Sequence, residues 1–189
     1  MVLKNSDVME RFEEGYSFLD ERTALSILER AFFIDRSVAE GDESYRQVIP
    51  YLTLIDSGKI LLLKRTERQT EKRLHNLLTI GVGGHVNESD GKDPIRAFKK
   101  GLFRELEEEV DFDVDEMIFS GVINSLENEV SRVHVGFHYI VFGSFRKVRE
   151  EENFEWRLVE LEELMKLIDS MEGWSRLAMV GLRYHLSRR

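Results

Sequence analysis

The chain has 189 residues, which suits one domain with a terminal extension, and its 42% apolar content can fill a sizeable core. A net charge of −9 makes a nucleic acid polymer an unsuitable partner, and no run of about 18 apolar residues offers a membrane span. The absence of cysteine removes disulfides and thiolate zinc sites; with an N-terminus that turns acidic at once, it favours the cytoplasm.

In chain order, Ser6 to about Arg36 reads as two helical stretches. The second carries Leu25, Leu28, Ala31 and Phe32 at helical spacing, so it has one apolar face that must be covered. That face could cover a substrate pocket or form a homodimer surface. Ala39 to Ser44 reads as a linker, which divides the chain into an N-terminal helical extension, 1–44, and a main domain, 45–189. Val48 to Ile55, the turn Asp56-Ser57-Gly58 and Ile60 to Lys64 read as a hairpin, with Pro50 placing the first strand at an edge or near a bulge. A polar loop with Arg65 and Arg68 follows. Leu77 to Val82 is a short strand running into Gly83-Gly84.

Asp93-Pro94 opens a helix expected to reach about Val110, with aspartate as the cap and proline at the first position. Met117 to Asn124 and Arg132 to Phe145 read as strands. Glu150-Glu151-Glu152 form a charged loop before a strand near Phe154 to Val159. Glu160 to Ser170 and Trp174 to Leu186 read as amphipathic helices. The class is α/β, a mixed sheet flanked by helices, not a βαβ repeat.

The chemistry concentrates on the helix after the glycines. At about 100° per residue, with Glu105 as zero, Ile95, Phe98, Leu102, Leu106 and Val110 fall between about 20° and 140°. Glu105, Glu108 and Glu109 share a margin of that stripe, while Glu107 points away. Three carboxylates at such spacing repel each other, and a hard divalent cation with oxygen ligands offsets that repulsion. A solvated acidic face balanced by Lys99, Lys100 and Arg104 is the plainer reading. The paired glycines before the helix let the backbone approach a ligand closely, and their carbonyls could add an oxygen to the same ion.

This order of strand, glycine loop and acidic helix resembles the Nudix hydrolase family, whose box reads G-x5-E-x7-R-E-U-x-E-E-x-G-U, with U bulky and apolar. Gly84 matches the first glycine; Arg104, Glu105, Leu106, Glu108 and Glu109 match the second half without a gap; Phe112 matches the last apolar position. The chain departs from the pattern in three places. Asp90 stands where the family has glutamate. Thirteen residues separate Asp90 from Arg104 where the family has seven. Asp111 replaces the late glycine. The resemblance spans Tyr45 to about Leu167.

It implies a Nudix-like α/β/α sandwich and hydrolysis of a diphosphate linkage in a nucleoside diphosphate derivative or related phosphorylated metabolite, with Mg2+ or Mn2+. Glu108, Glu109 and the Gly84 carbonyl would be metal ligands, Glu105 a ligand or base, and Arg104 its orienting partner. A later glutamate, with Glu151 the chosen candidate among Glu150, Glu151 and Glu152, would serve as base or extra ligand. Arg65, Arg68 and His85 are candidate substrate contacts. His134 and His138 share a strand face and read as packing or substrate contacts. Trp156 reads as a core or pocket aromatic and Trp174 as core. The competing reading is a Nudix-like nucleotide-binding or regulatory module with weak catalysis. An isopentenyl-diphosphate isomerase, which has the same fold, would need a cysteine that the chain lacks.

Overall fold

The hairpin read from the sequence turns on two residues with positive φ, Ser57 at 50° and Gly58 at 80°. That is the turn whose twist matches flanking antiparallel strands. It joins β3 (Tyr45–Asp56) to β4 (Lys59–Arg65). In the computed structural model, which describes residues 1–65, 77–149 and 154–189, these strands pair only through Ile55–Ile60 and Asp56–Lys59. Beyond that, β4 leaves β3 and pairs with β5 (Leu78–Thr79) and β8 (Phe154–Val159).

β3 pairs in parallel with β7 (His134–Val148), and β7 pairs antiparallel with β6 (Val110–Asn124). Two N-terminal strands complete the sheet: β1 (Val2–Lys4) on β3 and β2 (Gly15–Ser17) on β6. Along β3, Val48, Leu52 and Leu54 enter one core, and Tyr51 and Ile55 enter the other. Both faces of the strand are therefore buried, as a sheet between two helical layers requires. One layer is α4 (Pro94–Glu109), which buries Ala97, Phe98, Leu102 and Leu106. A short α5 (Glu129–Arg132) precedes β7, and the other layer is α6 (Leu161–Lys166) and α7 (Gly173–Leu186), which bury Leu164, Ala178, Met179 and Leu182. Each of these larger side chains contributes about 1.5–3 kcal/mol by leaving water. This is the expected α/β/α sandwich.

Several local expectations are revised. The first 44 residues hold three short helices, α1 (Asn5–Arg11), α2 (Glu21–Leu25) and α3 (Arg36–Gly41), besides the two strands. Helix α3 stands where a linker was expected, capped by the Asp35 side chain on the Ser37 amide. The face bearing Leu25, Leu28 and Ala31 is buried inside the same chain, in the core shared with α4. It needs no second copy to cover it.

Pro50 lies in the centre of the sheet, not at its edge. Gln47 donates to Val133 on the β7 side, whereas Val48 donates to Met1 and Leu52 to Val82 on the opposite side. By this alternation the missing Pro50 amide falls between the two partners on that opposite side. There the chain passes close: a Cβ on Gly83, whose φ is 148°, would lie 2.0 Å from the Pro50 carbonyl oxygen. Strand β6 starts at Val110, seven residues earlier than expected, directly from the end of α4. Register shifts at Asp111/Phe112, Val114/Glu116 and Phe119/Gly121 interrupt its alternation, which hid the strand in the sequence.

Candidate active site

The turn Gly83-Gly84-His85 runs between the sheet and α4, and each side of it has a different chemistry. On the α4 side, Asp93 accepts from the Arg96 amide and Pro94 takes the first helical position, as read from the sequence. The thirteen residues between Asp90 and Arg104 comprise Gly91, Lys92, the cap Asp93 and ten residues of α4. Arg104 then reaches back along the helix. Its Nε donates to Asp90 Oδ1 and its Nη2 to Asp90 Oδ2, both at 2.9 Å. The same Nη2 donates to the His85 carbonyl at 2.8 Å, and Nη1 donates to Glu105 Oε1 at 2.7 Å and Glu108 Oε2 at 2.9 Å. One guanidinium therefore ties the glycine loop, Asp90 and two box glutamates together.

Asp90 is almost fully buried, its side chain 2% exposed. It also accepts from the Asn87 amide at 2.8 Å. Burial opposes its ionisation, but the hydrogen bonds from Arg104 and Asn87 outweigh that and hold the carboxyl below its usual range. Helix residue Gly101 leaves room for it: a Cβ there would stand 3.0 Å from Asp90 Oδ2. Asp90 thus anchors the arginine of the box. The sequence left its role open because the spacing to Arg104 differs from the family's.

Glu105 is pressed against the glycine turn. A Cβ on Gly84 would lie 2.3 Å from Glu105 Oε2, so a side chain there would displace the carboxylate. Burial raises the Glu105 pKa, and its contact with Arg104 only partly offsets this. Glu109 is half-buried, and Glu108 and Glu107 are exposed. Glu105 and Glu108 meet at Arg104 Nη1, while Glu107 has no part in the cluster, as the helical angles required. Among the described residues no three carboxylates or imidazoles already converge at ligating distance.

On the other side of the turn, His85 Nε2 lies 3.2 Å from His134 Nε2. His134 Nδ1 is 2.7 Å from the Val130 carbonyl, which can only accept, so the proton sits on Nδ1. His134 Nε2 therefore accepts, from His85 and from Gln47 Nε2 at 3.2 Å. Burial lowers both imidazole pKa values, that of His85 to about 3. A cavity of about 200 Å³ opens here, lined by Gly83, Gly84, His85, His134, Tyr51 and Trp174 among others.

His138 does not share that cavity. It is wholly buried between Tyr16 Oη, 2.8 Å from Nδ1, and Thr53 Oγ1, 3.0 Å from Nε2. Trp174, expected in the core, is half-buried and lines the cavity. Trp156 is 43% exposed and packs edge-on to Phe145. Arg65 ends β4, with its backbone opposite Phe154, but its side chain lies outside the described residues. Arg68 and Glu151, with Glu150 and Glu152, also lie outside them. The sequence offered no signal for the His85–His134 pair or for Trp174 in the cavity, since these residues are 49 and 89 positions from His85.

The sandwich and this arginine-centred box define a Nudix hydrolase. The chain belongs to that family and is a pyrophosphohydrolase of its type. It is similar to Tm1382, a provisionally assigned Nudix hydrolase, with 43% identity, 96% of each chain covered and a TM-score of 0.87. It is also 31% identical over 153 residues to Protein YmaB of Bacillus subtilis (strain 168), covering 76% of this chain and 74% of that protein. The NUDIX domain of Shewanella oneidensis NrtR, solved with ADP ribose, shares the fold at 12% identity and a TM-score of 0.58, over 89% of this chain and 99% of that one. No family model matches the chain.

Proposed function

We propose that the protein is a cytoplasmic, metal-dependent hydrolase that cleaves the diphosphate linkage of a nucleoside diphosphate derivative or a related phosphorylated metabolite. The observation that carries this reading is the bracing of Glu105 between Arg104 and Gly84, at 2.7 Å from the first and so close to the second that a Cβ there would displace the carboxylate. A solvated acidic face has no reason to hold a carboxylate so.

The donor set suits magnesium or manganese, since it consists of hard oxygens. Glu108, Glu109, the Gly84 carbonyl and Glu105 would hold the ion. When bound, it would neutralise phosphate charge and make a coordinated water more acidic. The rest falls to the chain's own groups. Arg104 keeps the Glu105 carboxylate turned to the glycine loop. Glu105, whose proton affinity burial raises, accepts the proton of the attacking water as its oxygen bonds to phosphorus and the bridging P–O bond breaks. Arg65 and Arg68 are suited to the substrate phosphates by charge and place in the chain, and Glu151 to a second acid–base role.

The test is a panel of nucleoside diphosphate sugars, dinucleotides and nucleoside triphosphates incubated with magnesium. The reading expects metal-dependent release of a monophosphate product from at least one of them, lost in Glu105→Gln and Glu108→Gln. Absence of turnover on the whole panel, with undiminished metal binding in Glu108→Gln, would overturn it in favour of a binding or regulatory module.

A further inference from the structure

Two buried donors converge on one sulfur where the N-terminal segment meets the sheet. Arg46 of β3 is fully buried, and among the described residues no carboxylate pairs with it. Its Nε donates to Asn5 Oδ1 at 2.8 Å and its Nη1 to the Ser131 carbonyl at 2.9 Å. Nη2 has one acceptor among the described residues, Met9 Sδ at 3.9 Å. Asn124 Nδ2, at the end of β6, approaches the same sulfur at 3.7 Å. The orientation of that amide is fixed, because Nδ2 also donates to the Phe12 carbonyl at 3.1 Å, which can only accept.

A thioether is a weak acceptor, so the Nη2 end of a buried cation is left poorly satisfied. Met9 itself stands on α1 and is 43% exposed, whereas Arg46 and Asn124 are shut off from solvent. An oxidant can therefore reach the residue that carries the sulfur, while water does not relieve the donors. Oxidation of methionine makes a flexible apolar side chain polar, which disrupts a site that has no donor for the new oxygen. Here two donors already point at the sulfur. An oxygen on it lies one bond nearer to them, which brings long sulfur contacts into the range of ordinary hydrogen bonds, one of them charge-assisted.

We propose that Met9 is a site of reversible oxidation by peroxide, and that Arg46 Nη2 and Asn124 Nδ2 receive the sulfoxide oxygen and so fasten α1 to β3 and β6. A sulfur lone pair attacks one peroxide oxygen, and the S–O bond forms as the O–O bond breaks. The leaving hydroxide takes the proton of the transferred oxygen and departs as water. Sulfur loses two electrons and the peroxide gains them. The side chain has three rotatable bonds, so the sulfur reacts at the surface and then turns its oxygen inward. Methionine sulfoxide reductases, one for each epimer, reverse the step. The oxygen then leaves as water, and a dithiol is oxidised to a disulfide.

Met165 is the internal control. It is 45% exposed, and no hydrogen bond reaches its sulfur from the described residues. The other methionines are buried or half-buried. In Met165→Leu, hydrogen peroxide therefore meets Met9 as the one exposed methionine, and peptide mass spectrometry locates the added oxygen. Amide hydrogen exchange in α1 is followed before and after. Once Met9 is oxidised, the α1 amides should exchange about tenfold more slowly, and treatment with both reductases should restore the original rate. Met9→Gln places a side-chain oxygen at similar reach and should show the slowing without peroxide. In Met9→Leu, peroxide should oxidise Met165 and leave α1 exchange as it was. Oxidation of Met9 that leaves α1 exchange unchanged or makes it faster overturns the proposal. So does a Met9 that is oxidised no more readily than the half-buried Met117.

Discussion

The two sides of the Gly83-Gly84-His85 turn show how differently one loop can be supported. On the α4 side everything is charge: Arg104 ties Asp90, Glu105, Glu108 and the His85 carbonyl through five hydrogen bonds of 2.7–2.9 Å. On the α7 side stand aromatic rings, one carboxylate, Glu172, and two imidazoles, His85 and His134, that burial keeps from protonating. Ion pairs hold the first side and ring packing the second. The difference teaches that the box is only half of what surrounds the turn. The other half comes from β7 and α7, about 50 to 90 residues further along the chain, brought in by ordinary sheet and helix packing.

The most severe way to break the comparison is to fill the turn itself. Gly84→Ala puts a methyl where Glu105 Oε2 now lies and should reduce kcat/KM by about 10²-fold or more, since a displacement of about 1 Å has that effect on a positioned group. Circular dichroism and the melting temperature should stay near those of the wild type, which separates displacement from unfolding. Asp90→Asn comes next. It removes the bidentate partner of Arg104 and should cost about 2–3 kcal/mol of stability in urea unfolding, with a smaller loss of kcat than Gly84→Ala. A variant as stable as the wild type would show that Asp90 is not the anchor.

Acid should then test an imidazole buried elsewhere on β7, His138. Burial lowers the His138 pKa from 6.5 to about 3, so between those values the unfolded chain binds a proton that the folded chain does not. Stability is therefore full above the unfolded value and is lost as pH falls toward the folded one. At pH 4.5 the loss from this residue is about 2–3 kcal/mol. The difference in urea midpoint between wild type and His138→Gln, followed from pH 7 to about 4.5, isolates it from the carboxylates. A constant difference across that range would sink the assignment. The smallest effect belongs to Glu107→Gln, on the outward face of α4. Activity should be unchanged and stability within about 0.5 kcal/mol, which sharpens the contrast with its neighbours Glu105 and Glu108.

The acidic helix was legible because it is local. The cap Asp93-Pro94, the apolar stripe from Phe98 to Val110 and the sorting of Glu105, Glu108 and Glu109 from Glu107 all follow from one helical period. So was the hairpin at Ser57-Gly58, where both residues adopt positive φ. The N-terminal segment was less legible. Its apolar face at Leu25, Leu28 and Ala31 was visible, but not that β1 and β2 ahead of it would join β3 and β6. Three-residue strands are too short to show a period. Pro50 misled for a related reason: a proline argues against a central strand unless its missing amide faces no ladder partner, and here it falls between the Met1 and Val82 partners, where Gly83 lets the chain pass close.

By itself, then, the sequence determined how the carboxylates of α4 are arranged, because a helix carries its own geometry in residue spacing. Only the tertiary structure decided that Asp90 anchors Arg104, that His85 faces His134 and that Trp174 borders the glycine turn. Each of these joins residues whose separation along the chain has no fixed relation to their distance in space. Sheet order and helix docking bring them together, and no local period encodes either one.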